Sequence, residues 1–370
     1  MCGPGGPGTT PRARGAFRAA AGEPPSPARS YLRVLLLGGS GLLSGAAARR
    51  FTAAGHDVTS VTRGRRERIA HPRLVHVGAD RTDAAALAAA LGGERFDLTV
   101  DYLAYDAADV ERLLAVPGLE PGRLVLISTG QVYLVTAEPR PPFREADADR
   151  PLMAEPRSGT RDHDEWAYGM AKRAAEAALL AGGRRRGLRS LALRVPVIQG
   201  EADGRGSRRL WAWLERLRDG GPVLLPDDGA QRVRFLHAGD AAEALLALAG
   251  ASRWPDEPAL NLAQPDEPTL REFLEQVAAL AGAAARFVPV PADELRAAGL
   301  AGTCAPYWGR WCSRPDPARA IAALGVRPRA TPEYLPGVVR AHLEQPPGRS
   351  HPGYARRAEE LALAARLAER

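Results

Sequence analysis

In the stretch "WAYGMAKRAAE", residues 166–176, Tyr168 stands four residues before Lys172, and Lys172 is the single lysine among fifty Lys and Arg side chains. On a helix, positions i and i+4 share one face. A phenol with an ordinary pKa of about 10 needs a cation beside it before it can take a hydroxyl proton near neutral pH. An ammonium one turn away supplies that cation, and its compact, mobile head can also bond a ribose where a planar guanidinium does not fit. Tyr168 and Lys172 are therefore candidate acid/base residues. The competing reading places Lys172 on a solvated helix face, paired with Glu176 one further turn along.

The elements that must position such a pair begin at Tyr31. "RVLLLGG" reads as a buried strand, after which Leu43, Ala47, Phe51 and Ala54 recur at helical spacing until Gly55. Between strand and helix, "LLGGSGLLSG" offers Gly38 and Gly41, a spacing that turns the backbone tightly and brings bare amides to the positive end of a helix, where a pyrophosphate binds. Ser44 stands where a third glycine would allow close packing, which predicts a helix shifted slightly outward. The second strand, "HDVTSVTR", ends at Thr62-Arg63 with Arg65, Arg66 and Arg68 close behind. An arginine at this place accepts a ribose 2'-phosphate where a carboxylate would hold the 2'-hydroxyl, so NADP is favoured over NAD; the alternative is arginines decorating a solvated loop. Asp80, after the third strand "LVHVGAD", can meet the adenine edge or cap the helix Ala84 to Leu91.

"DLTVDYLA", "RLVLIST" and "SLALRVPVI" continue the alternation of strand and helix, which predicts a parallel sheet covered on both faces. Residues 137–160 are a Pro-rich, acidic surface loop. Further on, "RLWAWLERL" is an amphipathic helix, "VRFLHAG" and "ALNLAQ" are strands, and Thr269 with Glu272 forms a capping box for "LREFLEQVAAL". The expected architecture is an α/β fold, a Rossmann-type doubly wound parallel sheet with a smaller C-terminal α/β substrate lobe. Residues 1–30 form a disordered leader and 31–200 the dinucleotide-binding domain, with later strands near 230–265 joining it. Residues 201–229 and 266–345 form the substrate lobe, and 346–370 a helical tail that packs as an appendage or a partner surface.

Cys2, Cys304 and Cys312 are odd in number and widely spaced, which argues against a disulfide framework and a zinc site. "RDHDEW" reads as solvated caps of a helix start rather than metal ligands, and no metal is expected. His237 reads as a structural histidine at a strand end. "CAPYWGRWC" gathers Tyr307, Trp308 and Trp311 either as a pocket wall or as plain core. No apolar run approaches the roughly 20 residues that span a bilayer, and the N-terminus has no secretory h-region, so a cytoplasmic location is expected. A net charge of +7 suits an anionic ligand, a nucleotide cofactor or a nucleic acid, although Arg-rich codon usage contributes to it.

Taken in order, "GGSGLLS", "DYLAYDAADV", "LVLISTGQVY", "YGMAK", "RFLHAGD" and "LNLAQPDEPTLREF" resemble the extended short-chain dehydrogenase/reductase superfamily in its epimerase/dehydratase branch, over about residues 31–345. "LLGGSGLL", "GHDVTSVTRG" and "AYDAADVERLL" look like the subgroup of chloroplast stem-loop-binding proteins, which adds RNA as an alternative partner. The resemblance implies Thr129, Tyr168 and Lys172 as the catalytic set. It implies a cofactor site of Gly38, Gly39, Ser40, Gly41, Leu42, Leu43, Arg63, Asp80, Arg81, Leu103 and Ala104, with Tyr168 and Lys172. A dehydratase of the branch carries Asp-Glu directly after the serine/threonine, and here the pair is Gly130-Gln131, so dehydration is disfavoured. The implied activity is NAD(P)-dependent epimerisation, reduction or oxidation at a hydroxyl or ketone of a sugar nucleotide or similar polar metabolite, with a homodimer as a further expectation. An arginine next to "FLH" often holds the diphosphate in this branch, but Val233 occupies that place, flanked by Arg232 and Arg234.

Overall fold

A computed structural model describes residues 31–65, 68–201 and 208–369, so the expected leader, Cys2 and Arg66 lie outside the described residues. The strands are β1 (Arg33–Leu37), β2 (Asp57–Thr62), β3 (Leu74–Gly78), β4 (Leu98–Asp101), β5 (Arg123–Thr129), β6 (Ser190–Val195), β7 (Val197–Gln199), β8 (Val223–Pro226), β9 (Phe235–His237), β10 (Ala259–Asn261) and β11 (Phe287–Val290). Seven of them form one parallel sheet in the order β10-β6-β5-β4-β1-β2-β3. From β1 the chain steps outward one way through β2 and β3, then returns to β4 and steps the other way. That reversal opens a crevice at the carboxyl ends of β1 and β4, where ligands of such sheets bind.

The continuous apolar strands follow from burial on both faces. In β1, Val34 and Leu36 pack with Ala47, Ala48 and Phe51 of the helix Leu42–Ala53 and with the helix Ala238–Gly250. Leu35 and Leu37 point the other way, among Leu87, Val110, Leu113, Ala175 and Leu179. Alternate side chains of a strand must face opposite sides, so each face needs its own apolar set.

Three expectations need correction. The run "SLALRVPVI" breaks at Pro196, which has no N–H to continue a ladder; β7 leaves the central sheet and pairs with β9. The strand in "VRFLHAG" therefore does not join the dinucleotide-binding sheet, whereas that in "ALNLAQ" does, as β10 beside β6. The C-terminal tail is no appendage. Leu363 and Ala364 enter the core formed by Trp213, Phe273, Tyr334 and Val338, and the buried Arg216 guanidinium bonds Glu360 at 2.5 and 2.8 Å. Ala320, by contrast, packs with the core of the central sheet, so the segment 266–345 serves both cores. No helix among the described residues is long and apolar enough to cross a membrane.

Candidate active site

The glycine turn follows β1. Gly38 takes φ +104°, a conformation open to glycine at little strain, and an added Cβ there would lie 2.8 Å from Leu103 Cγ. Gly39 is packed on β2, where a Cβ would come within 2.1 Å of Ser60 Oγ; it lets the turn close on the sheet and does not face the ligand crevice. Ser44 is part of the turn itself. It is buried, donates its hydroxyl to Gly38 O and accepts the Gly41 N–H at 2.9 Å, tying the turn to the first helical residues. The helix Leu42–Ala53 begins there, and its leading amides have no acceptor within the helix. A cavity of about 570 Å³ opens beside it, with Gly38, Ser40, Gly41, Leu42, Leu43, Arg63, Asp80, Arg81 and Leu103 on its walls.

Arg63 and Arg65 also border this cavity, and neither makes a hydrogen bond or ion pair among the described residues. Asp80 accepts from the Thr82 amide at 3.0 Å and hydroxyl at 2.8 Å, bonds that hold its carboxyl below the ordinary range, with Arg63 and Arg65 adding to the effect. The helix Ala84–Leu91 is capped by Asp83 instead. Arg81 lines the cavity, but its buried guanidinium is directed inward to Asp101 at 2.5 Å and Asp109 O at 2.7 Å. It braces the protein rather than presenting a charge to a ligand. The Asp101 carboxylate also accepts from Leu103 N at 2.8 Å and Ala104 N at 2.9 Å, fixing the loop after β4. Sequence reading missed Asp101 and Asp109; a carboxylate inside the apolar run "LTVDYLA" was the available signal.

Tyr168 and Lys172 share the helix Arg161–Arg185, which starts at the Thr160 cap. Gly169 lets that helix approach Val135, whose Cγ1 would be 2.6 Å from an added Cβ. Lys172 is 3 % exposed and donates to Ala104 O and Ile127 O, each at 2.8 Å, beside the ends of β4 and β5. Ala104 thus contributes its carbonyl. Pairing with Glu176 does not occur, because Glu176 binds Arg194 at 2.7 Å and the Ser128 hydroxyl at 2.5 Å. Burial lowers the Lys172 pKa to about 8. Desolvation raises the Tyr168 pKa, and the neighbouring Thr129 side chain opposes that only in part. The Thr129 hydroxyl itself accepts the Gln131 N–H at 3.2 Å. The phenol is thus not made acidic in this state, contrary to the sequence expectation: the ammonium is directed to two carbonyls, while the partial desolvation of a ring still 36 % exposed raises the phenol.

The strand end beyond Thr129 carries no acid. A Cβ on Gly130 would lie 2.2 Å from Ser313 Oγ, so a side chain has no room there. Gln131 donates its amide to Glu165 Oε2 at 2.6 Å, and Glu165 lies one turn before Tyr168. In the sequence Glu165, within "RDHDEW", reads as a solvated cap; its partner Gln131, 34 residues away, was not legible. Arg234 is buried on Pro315 O at 2.7 Å and Glu267 at 3.3 Å, Arg232 donates to Glu267 O at 2.7 Å, and Val233 lies in the core. Tyr307 belongs to the core of the smaller lobe, with Gln199 Nε2 donating to its hydroxyl at 3.1 Å. His237 caps the helix Ala238–Gly250. Cys304 and Cys312 are unpaired thiols, raised by burial to about 12 and about 11. No group that could hold a metal ion occurs among the described residues.

A glycine turn opening a helix at the reversal point of a parallel sheet defines a dinucleotide-binding α/β protein. Residues 34–263 match the family model of the NAD dependent epimerase/dehydratase family, and the chain belongs to that family. It is 30% identical over 271 residues to the 2'-dehydrokanamycin reductase of Streptomyces kanamyceticus, covering 72% of each chain. Among solved structures it resembles the UDP-glucose 4-epimerase of Thermus thermophilus in complex with NAD (TM-score 0.60, 21% identity, 85% of this chain and 98% of that one). It also resembles the dTDP-glucose 4,6-dehydratase of Streptomyces venezuelae (TM-score 0.61, 20% identity, 84% and 97%). The family match and the reductase relative make it an enzyme of the extended short-chain dehydrogenase type, and the two solved structures share its fold.

Proposed function

We propose that the protein uses NADP in preference to NAD to reduce a ketone or oxidise a hydroxyl on the sugar ring of a sugar nucleotide or similar polar metabolite, with Tyr168 as acid/base. One observation carries this reading: Tyr168 and Lys172 share one helix, and Lys172, one turn along, is buried on the Ala104 and Ile127 carbonyls beside the dinucleotide crevice. The site fits a nicotinamide dinucleotide in its donor set, with helix amides at Leu42 and Leu43 and the two arginines Arg63 and Arg65 on the wall of one cavity. The cofactor supplies the hydride donor or acceptor.

In reduction, Tyr168 gives its proton to the substrate oxygen as negative charge develops there; in oxidation it takes the hydroxyl proton. A phenol raised by burial is protonated at neutral pH and ready for the first task. Thr129, beside Tyr168 at the end of β5, holds the same substrate oxygen. Lys172 has three N–H groups and uses two on carbonyls, leaving one for the ribose of the cofactor. Dehydration is disfavoured because Gly130 has no proton to exchange and the Gln131 amide is occupied by Glu165. The reductase of Streptomyces kanamyceticus supports simple reduction, and the epimerase and dehydratase neighbours support sugar nucleotides.

The test is to identify the nicotinamide that co-purifies, then follow its absorbance near about 340 nm with UDP-glucose, UDP-galactose, dTDP-glucose and oxidised kanamycin. Tyr168→Phe should lower turnover about 10²- to 10⁴-fold while cofactor affinity stays within about twofold. Undiminished turnover in that variant would remove Tyr168 from the chemistry.

A further inference from the structure

Tyr105 has no place in the reading above, yet its surroundings are unusual. It is 55 % exposed, one of six large hydrophobic side chains left open among the described residues, and Tyr168 is another. The two rings stand together, centroids 6.3 Å apart and planes tilted by 54°. Tyr105 also borders the dinucleotide cavity, so it occupies the junction between that cavity and the acid/base phenol.

Its backbone is held firmly. Tyr105 N donates to Asp109 Oδ2 at 2.9 Å, and Asp106 accepts from Asp109 N at 2.9 Å as cap of the helix Ala107–Leu114. The preceding residues are clamped by Asp101, and Ala104 O receives the Lys172 ammonium. A ring mounted on so constrained a loop but left in water adds little to the core. Next to the Tyr168 ring and at the edge of the cavity, it is placed to meet a ligand.

We propose that Tyr105 is a substrate-binding residue whose ring receives the C–H face of a pyranose while the reacting oxygen of that sugar reaches Tyr168. A pyranose carries hydroxyls around its rim and weakly positive C–H groups on its faces, which suit the electron-rich face of an aromatic ring. The Tyr105 ring, more than half exposed and tilted against Tyr168, presents an open face next to that phenol at the edge of the dinucleotide cavity. An exposed aromatic ring also stacks nucleic-acid bases, but that mode uses successive rings along a basic groove. Here the neighbours are one phenol and the dinucleotide cavity.

This inference rests on the reading of Tyr168 as acid/base, and binding separates the two. Full-length protein loaded with NADP is titrated calorimetrically with UDP-glucose and with neamine, an amino sugar, as wild type, Tyr105→Ala, Tyr105→Phe and Tyr168→Phe. The sugar that binds wild type more tightly should bind Tyr105→Ala about tenfold more weakly. Tyr105→Phe should stay within about twofold, because the ring and not its hydroxyl makes the contact. The affinity of NADP itself should not change in Tyr105→Ala. Equal sugar affinity in wild type and Tyr105→Ala, no binding of either sugar to wild type, or a larger loss for a single-stranded oligouridine than for the sugars overturns the proposal. Failure of the acid/base reading would appear separately, as undiminished turnover in Tyr168→Phe with the binding comparison intact.

Discussion

Replacing Lys172 by Met keeps most of the length of the side chain and removes a buried ammonium. In the folded protein that ammonium has a pKa of about 8, lowered by desolvation; in an unfolded chain a lysine titrates at about 10.4. At pH 7 both states carry the proton, and the folded state holds it less well than water would. As pH rises through 8 the folded lysine releases its proton first and that penalty disappears, so Lys172 contributes a stability that increases with pH and is complete above the unfolded pKa. The gap of about 2.4 units corresponds to about 3.3 kcal/mol, of which about 2.5 kcal/mol develops between pH 7 and 10. The buried Cys304 and half-buried Cys312 thiols act in the opposite direction above about pH 8.5, since their pKa values are raised. The informative quantity is therefore the difference between wild type and Lys172→Met. Urea unfolding at pH 7, 8, 9 and 10 should show wild type gaining about 2–3 kcal/mol on the variant across that range. Parallel curves would mean that the ammonium is better solvated than its 3 % exposure implies.

Two further outcomes follow from the walls of the site. Arg63→Ala combined with Arg65→Ala should weaken NADPH binding about 10- to 100-fold and leave NADH within about twofold, measured by fluorescence titration; equal losses for both would show that the arginines do not read the 2'-phosphate. Gly130→Ala should lose about 1–3 kcal/mol in urea unfolding, because its Cβ meets Ser313 Oγ, and Gly130→Ala with Ser313→Gly should recover most of it. A neutral single variant would show that the contact yields without strain.

The sheet and its glycine turn were legible because their causes are local. Strands buried on both faces read as unbroken apolar runs, and the left-handed backbone at Gly38 calls for glycine from the turn alone, although the contact that keeps Gly39 small, Ser60 on β2, is tertiary. The four-residue spacing of Tyr168 and Lys172 likewise fixed their common helix face. The partners of these side chains were not legible. Lys172 could bond Glu176 on its own helix or carbonyls more than 40 residues away, and only the tertiary structure, by giving Glu176 to Arg194, decided for the carbonyls. The same holds for Glu165 against Gln131, Arg81 against Asp101 and β9 against β7.

By itself the sequence determined the parallel α/β plan, the dinucleotide turn and the pairing of a phenol with an ammonium on one helix. The tertiary structure decided their chemical state: a phenol raised rather than lowered, an ammonium brought down to about 8, and a carboxylate delivered by the helix instead of the strand end. The physical reason is that periodicity and turn chemistry depend on neighbours a few residues away. Desolvation and hydrogen-bond partners depend on which distant segments exclude water around a group.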